Sequence, residues 1–170
     1  MKILGIHHVT AAVRELDEAR AALAALFGAE AGPVDTVPAF AVRSTELALG
    51  EGRLELVSPL GHDSAVQRYI ERRGEGFYTL ALEVDDLDAA LRELIGRGVR
   101  VSEPVESAPG ERSAFITMAA THGLSIQLVQ TERVPAASEP EPDTPPRVRI
   151  EPPAEHAPND LTPDEWSDVD

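Results

Sequence analysis

The sequence predicts an α+β protein built from two copies of one strand–helix–strands unit. A shift of 71 residues brings identical residues together at six positions near the start of each copy. These pairs are Gly5/Gly76, Val13/Val84, Leu16/Leu87, Asp17/Asp88, Ala19/Ala90 and Leu23/Leu94. A shift of 72 then aligns "LELV" at 54–57 with "IQLV" at 126–129. A repeat that keeps its register from end to end indicates that each copy folds as the same supersecondary unit.

The first unit spans about residues 5–57. "ILGIHHVTAAV" is typical of a strand, and "ELDEARAALAALFG" of a helix that ends at Gly28. Three short strands are then predicted at "AFAVR", "TELALG" and "RLELVS", with a turn at "GEG", residues 50–52.

The second unit spans about residues 76–129 and repeats this order. A strand at "FYTLALEV" precedes a helix at "DLDAALRELIGRG". Further strands are predicted at "VRVSEP", "SAFITMAA" and "LSIQLVQ". The linker, residues 58–75, has a predicted helix from about Ser64 to Arg73.

Side-chain alternation divides each strand into two faces. The apolar face carries residues that we expect to pack on the helices: Val9, Ala11, Val13, Leu54, Leu56, Leu80, Leu82, Ile126 and Leu128. His7 falls on this helix side. The opposite face is small and polar, and it includes His8, Thr10, Glu55, Thr79 and Gln127. Such a face is suited to line an open, wet cavity.

The composition excludes several function classes. The net charge of −15 argues against a nucleic-acid partner, because there is no basic stripe to replace phosphate counterions. No segment approaches the ~20 apolar residues of a membrane span, and the N-terminus lacks the apolar run of a secretory signal. We therefore expect a cytoplasmic protein with no membrane partner. Because the chain has no cysteine, any metal would be held by His and carboxylate groups.

Residues 131–170 differ from the rest of the chain. They hold 9 of the 14 prolines, and 11 acidic residues against 3 arginines. We predict a disordered or extended acidic tail. Within it, "RVRIEPP" at 147–153 alternates like a short edge strand, and "LTPDEWSDVD" at 161–170 has a capping box from Thr162 to Glu165. The second segment is either a docking motif or a frayed end.

Matching positions of the two units meet around a pseudo-twofold axis. His8 matches Thr79, and Glu55 matches Gln127. An imidazole and a carboxylate from each unit would supply four ligands for a divalent metal.

Each candidate residue has a structural alternative. His8 is a ligand or substrate contact, or else a satisfied histidine on a sheet face. Glu55 lines a shared polar cavity or pairs with Arg53. Gln127 is a weak ligand, a substrate hydrogen-bond donor or a structural amide. His122 contacts substrate or caps a turn.

Several motifs, in order and at near-fixed spacing, resemble the vicinal oxygen chelate superfamily of glyoxalases, extradiol dioxygenases and drug-resistance proteins. They are "HHVTAAV", "LELVSPLGHDS", "ERRGEGF", "LEVDDLDAAL" and "HGLSIQLVQ", and the resemblance covers residues 3–130. The linker and the start of the second unit are most similar to methylmalonyl-CoA epimerases. The resemblance implies paired βαβββ modules that form a cupped mixed sheet. Because such a sheet leaves exposed edges, we also expect a homodimer.

The resemblance further implies one divalent metal (Co, Mn, Ni or Zn) in the cup. The family ligands are His, Glu or Gln, His, and Glu, which places the metal on His8, Glu55 and Gln127. Thr79 stands where the family has its second histidine, and Gln127 where it has a glutamate that also transfers a proton. A second acid–base glutamate is expected near "AVRS", where Ser44 stands.

Two functions follow from this resemblance. The first is metal-assisted proton transfer next to the carbonyl of a thioester such as an acyl-CoA, with Glu55 as the catalytic carboxylate and Thr79 and His122 contacting substrate. A standard epimerase of this kind needs two bases, one for each face of the carbon. Glu55 is the one carboxylate placed in the cup, and Glu83 is a distant second near its rim. The second function is a metal-free module that binds a small molecule, as resistance proteins do, or a regulatory partner in the same cavity.

Overall fold

The computed structural model describes residues 1–62 and 64–132. Within them, one mixed sheet of eight strands and three α-helices confirm the predicted α+β class. The first module contains β1 (Ile3–Ala12), α1 (Leu16–Phe27), β2 (Asp35–Val37), β3 (Val42–Leu49) and β4 (Gly52–Pro59). The second contains β5 (Gly76–Val84), α3 (Leu87–Gly96), β6 (Val105–Ala108), β7 (Glu111–Ile116) and β8 (Ile126–Thr131). The helix α2 (Ala65–Arg73) lies between the modules in the chain. The segments predicted at 147–153 and 161–170 lie outside the described residues.

The strand order makes the two modules equivalent. It runs β2-β3-β4-β1-β5-β8-β7-β6, so each half repeats the order of the other about the centre. β1 pairs with β5 in antiparallel orientation at this centre, and each is parallel to the last strand of its own module. The curved sheet therefore brings equivalent positions of the two modules together on one concave face, as the fold prediction requires.

Local sequence explains where the helices begin and end. Asp86 caps α3 by accepting a hydrogen bond from the backbone N–H of Ala89 at 2.8 Å. Ser64 caps α2 in the same way through the N–H of Gln67. α1 ends at Gly28, whose φ of +61° lies in the left-handed region that favours glycine.

The helices α1 and α3 cover the convex face, and the predicted apolar side of the strands packs on them, whereas α2 packs on Ala12, Val42 and Val57 of the concave face. Leu54 and Leu56 pack in a cluster with Leu16 and Leu23 of α1. The equivalent cluster of the second module joins α3 to β5, β7 and β8, and includes Leu80, Leu82, Ile126 and Leu128. This packing leaves the polar alternate positions of the central strands on the concave face.

Two parts of the strand prediction are wrong. The segments "AFAVR" and "TELALG", predicted as separate strands, form one strand, β3, and Ala39 and Phe40 lie in a 3₁₀ helix before it. The other difference is in the second module. "VRVSEP", residues 99–104, is not a continuous strand; Val101 makes one isolated bridge to Ile116, and β6 begins at Val105. Pro104 has no N–H to continue a ladder, which explains the break at this point. None of the helices among the described residues is long and apolar enough to cross a bilayer.

Candidate functional site

A cavity of about 1060 Å³ lies on the concave face of the sheet. Its centre is polar and draws on the four middle strands. The predicted side chains that line it are His8, Thr10, Glu55, Thr79 and Gln127. The register explains why they meet: Thr10 pairs with Glu55 on one side and with Thr79 on the other, and Ala81 lies between His8 and Gln127. Four of the five are buried, and Glu55 is partly buried.

Glu55 and His8 form the core of the site. Nε2 of His8 lies 3.4 Å from Oε2 of Glu55. Thr10 Oγ1 donates a hydrogen bond of 2.9 Å to the same carboxylate oxygen. Arg53, the alternative partner of Glu55, instead contacts Glu46 at 3.4 Å. The carboxylate is therefore held by cavity side chains.

The Nε2 atom of His8 has no hydrogen-bond partner within the described part of the chain. The contact with Glu55 is close enough for an ion pair but is not aligned as a hydrogen bond. His8 is only 5% exposed, so this nitrogen is also shielded from bulk water. A buried polar atom left without a protein partner is a position where an ordered water or a ligand atom can bind.

His7 corrects the sequence interpretation, which placed it on the helix side. The β1–β5 register shifts between Ile6 and His8, so β1 contains a bulge at His7. As a result, the Nδ1 atoms of His7 and His8 lie 2.8 Å apart, and Nε2 of His7 lies 4.0 Å from Oε2 of Glu111. Burial lowers the pKa of His7, and the positive charge of Arg53 lowers it further. A neutral histidine is thus held against His8.

At the equivalent positions, the second module has side chains that are weaker metal ligands and do not act as acids or bases. Thr79 is buried, and its hydroxyl is hydrogen-bonded to Ser125 Oγ at 3.0 Å. Gln127 is 6% exposed and lines the cavity. Neither side chain carries a charge. The site is therefore asymmetric, although the strands that build it are equivalent.

The outer part of the cavity adds residues that the sequence did not single out. Phe40, in the 3₁₀ helix between β2 and β3, and Phe115 on β7 meet edge to face, with ring centroids 5.5 Å apart. Tyr78 also lines the cavity, and burial raises the pKa of its phenol, which stays protonated. Glu46 and Glu111 lie in the lining as well.

Two other predicted positions have different outcomes. Ser44, where the resemblance placed a second acid–base glutamate, is buried and lines the cavity. His122 is exposed at a turn with φ of +54° and is not among the described lining residues. The structure therefore fits the alternative in which His122 belongs to a turn, and does not bring it to the substrate position that we predicted.

The donor set does not fit the four-ligand metal site that the resemblance implies. His8 and Glu55 are suitable ligands, but Gln127 offers a neutral carbonyl and Thr79 is engaged with Ser125. Among the described residues, no three His, Cys, Asp or Glu side chains are grouped to hold a metal ion. Metal binding by His8, Glu55 and Gln127 stays a prediction that titration with Co²⁺ would test.

Comparisons with known proteins give the family of this architecture. A sequence model of the glyoxalase/bleomycin resistance protein/dioxygenase superfamily matches residues 7–115. The ethylmalonyl-CoA/methylmalonyl-CoA epimerase of Cereibacter sphaeroides is 30% identical over 129 residues, which cover 74% of this chain and 96% of that one. The mitochondrial methylmalonyl-CoA epimerase of Bos taurus is 29% identical over 128 residues, or 74% of this chain and 73% of that one.

A solved structure agrees with these sequence matches. Methylmalonyl-CoA epimerase in complex with methylmalonyl-CoA and NH4+ is 28% identical, with a TM-score of 0.74 over 78% of this chain and 98% of that one. The repeat, the sheet order and these matches lead to one assignment. The chain belongs to the glyoxalase/bleomycin resistance protein/dioxygenase superfamily, and its relatives there include methylmalonyl-CoA epimerases.

Proposed function

We propose that this protein binds a small acyl thioester in the cavity and transfers a proton at the carbon next to the thioester carbonyl. The observation that carries the proposal is the contact of Glu55 with His8 at 3.4 Å, in a polar and mostly buried centre. The named activity of the relatives, and the methylmalonyl-CoA bound in one of them, support the choice of substrate class.

Glu55 acts as the base. Thr10 holds the carboxylate through Oε2, so Oε1 is the oxygen that remains to accept a proton from carbon. Removal of a proton next to a carbonyl produces an enolate, whose oxygen carries the developing charge. A positioned carboxylate base contributes about 10²–10⁴ to such a rate.

His8 donates a hydrogen bond to the enolate oxygen. The negative charge of Glu55 Oε2 at 3.4 Å favours a hydrogen atom over a lone pair on Nε2, and because this contact is not aligned as a hydrogen bond, the hydrogen can be donated to a ligand. Nδ1 of His8 is then the acceptor for Nδ1–H of His7, at 2.8 Å. His7 is thus a positioning residue that fixes the tautomer of His8. The amide of Gln127 supplies a second neutral donor to the same cavity.

Proton exchange is expected to be faster than inversion of the carbon centre. Inversion requires a second base on the opposite face, and Ser44 stands where the resemblance implied that base. A proton removed by Glu55 is therefore returned mostly to the face from which it came. The ratio of the proton-exchange rate to the inversion rate therefore distinguishes this protein from a two-base epimerase.

Deuterium exchange at C2 in D₂O tests the proposal. The substrates are 2-methylmalonyl thioesters in their acid and amide forms, followed by NMR. We expect exchange by the full chain and a loss of about 10²–10⁴-fold in Glu55→Gln. Glu106→Gln, an exposed change on β6, is the matched control and should leave the rate unchanged. Exchange at the background rate, or full activity in Glu55→Gln, would show that the proposal is wrong.

A metal-free binding module is the second candidate. It is favoured by the uncharged side chains of Thr79 and Gln127, which leave the second module without an acid–base group at the centre. Binding of a thioester with no exchange in the same NMR experiment would support this alternative.

A further inference from the structure

The lining of the cavity is strongly acidic. Within the described part of the chain it contains no lysine or arginine. Its carboxylates are Asp35, Glu46, Glu55, Glu103 and Glu111. Even with His8 protonated, the lining keeps a net charge of −4. An anionic ligand would therefore enter a negative potential, which the low-dielectric walls of a cavity strengthen.

The three arginines on the described strands pair with acidic side chains. Arg53 contacts Glu46 at 3.4 Å and does not line the described cavity. Arg43 pairs with Asp17, and Arg112 pairs with Asp88. Asp17 and Asp88 lie in the first turns of α1 and α3, so these two pairs connect the sheet to its helices.

Two of the carboxylates are directly opposed. Glu46 on β3 and Glu55 on β4 are cross-strand partners, and their side chains share the cavity face. Like charges in this arrangement repel each other, and the Arg53 guanidinium offsets the charge of Glu46 but contacts no oxygen of Glu55. A further carboxylate from a ligand would add to that repulsion.

The unpartnered Nε2 of His8 shows what kind of ligand atom the centre accepts. This atom is buried, lines the cavity and makes no hydrogen bond to the described residues. Its hydrogen can be donated to a carbonyl oxygen without neutralising a charge. Gln127 and Tyr78 in the same lining add uncharged hydrogen-bonding groups.

We infer that the cavity selects a thioester whose acyl group has no free carboxylate: an uncharged 1,3-dicarbonyl compound. This inference rests on the proposed function and names its substrate class. A malonyl carboxylate is bound most strongly by a cationic side chain, and the described lining offers neither a guanidinium nor an ammonium group to offset its five carboxylates. An amide or ketone at that position leaves the C–H between two carbonyls and needs hydrogen bonds only.

A matched pair of probes tests the inference directly. The first is the 2-methylmalonyl thioester of pantetheine, and the second is its carboxamide analogue, which has nearly the same shape without the negative charge. Pantetheine replaces CoA so that no phosphate contributes charge. We expect the amide to bind the full chain at least about tenfold more tightly by calorimetry, given the size of charge repulsion at a protein surface. Added salt should reduce the difference in affinity between the two probes.

Charge-removing variants identify the source of the preference. Glu46→Gln and Glu111→Gln should each strengthen binding of the acid probe and leave the amide probe within about twofold. Glu106→Gln, whose side chain lies outside the described lining, should change neither. Equal or tighter binding of the acid, or no binding of either probe, would overturn the inference. The amide preference without C2 exchange would uphold the inference and reject the proposed proton transfer.

Discussion

The two modules have the same scaffold but different chemistry. Leu56 and Leu128 occupy equivalent places on the convex face, and both are almost fully buried. On the concave face, by contrast, His8 and Glu55 of the first module face Thr79 and Gln127 of the second. The convex face is fixed by packing on the helices, which permits few side chains. On the concave face α2 packs on Ala12, Val42 and Val57, whereas the polar residues at the centre line a cavity, so these residues are free to differ and to specialise.

The largest expected effect concerns the scaffold. Leu56→Ala and Leu128→Ala should each lower the free energy of unfolding by about 2–5 kcal/mol, because each leaves a cavity in an equivalent cluster. Urea denaturation gives both values. A loss in one variant and almost none in the other would show that the two modules do not contribute equally to the fold.

The next prediction concerns a double variant that gives the two modules the same groups on the concave face. Thr79→His combined with Gln127→Glu gives the second module an imidazole and a carboxylate, like the first. Because ligand-supporting groups alone change metal affinity by 10–100-fold, we expect Co²⁺ to bind at least about a hundredfold more tightly than to the parent chain.

The matched control for this double variant makes the same changes elsewhere. Thr117→His with Gln67→Glu adds the same groups outside the described cavity lining and should not alter Co²⁺ affinity. Equal affinity in the parent and in the restored variant would contradict our interpretation of the donor set.

A smaller effect compares two threonines that face each other across β1 and β5. Thr10 donates to Glu55, whereas Thr79 is bonded to Ser125. Thr10→Val should therefore slow C2 exchange about tenfold, since a hydrogen bond to a charged group contributes about 1.5–3 kcal/mol. Thr79→Val should change the rate by less than about threefold. If NMR showed that the two variants lose C2 exchange rate equally, the two threonines would not differ in function as we predict.

The smallest effect comes from His7. Burial lowers its pKa in the folded state below the ordinary value of 6.5. As the pH falls below 6.5, the unfolded chain binds a proton at this residue before the folded chain does, so stability is lost on the acid side. Glutamine does not titrate in this pH range, so His7→Gln removes this loss of stability.

Unfolding measured between about pH 7.5 and pH 5 checks this sign. His7→Gln should gain stability relative to the parent chain on acidification, because glutamine has no proton to bind in the unfolded state. Exposed His62→Gln serves as the control. A gain in His62→Gln as large as that in His7→Gln would show that burial of His7 is not the cause.

The sequence alone predicted the parts of this molecule that follow from periodicity. The repeat indicated the paired modules, and alternation separated Leu54 and Leu56 from Glu55. The sequence prediction failed at His7. One extra residue in β1 forms a bulge, which changes the face to which the side chains before it point, and the pattern of apolar and polar residues does not reveal this bulge. Glu46 and Glu111 were also missed, since membership of the cavity depends on strand register and sheet curvature.

We propose that the first module carries the chemistry through Glu55 and His8, and the poor donors Thr79 and Gln127 predict that it does so without a tightly bound metal. This claim is tested most directly by C2 deuterium exchange with the carboxamide probe, before and after treatment of the full chain with a chelator. We predict that exchange continues unchanged after chelation and that Glu55→Gln abolishes it. Exchange that falls to background on chelation and returns with Co²⁺ would contradict this account.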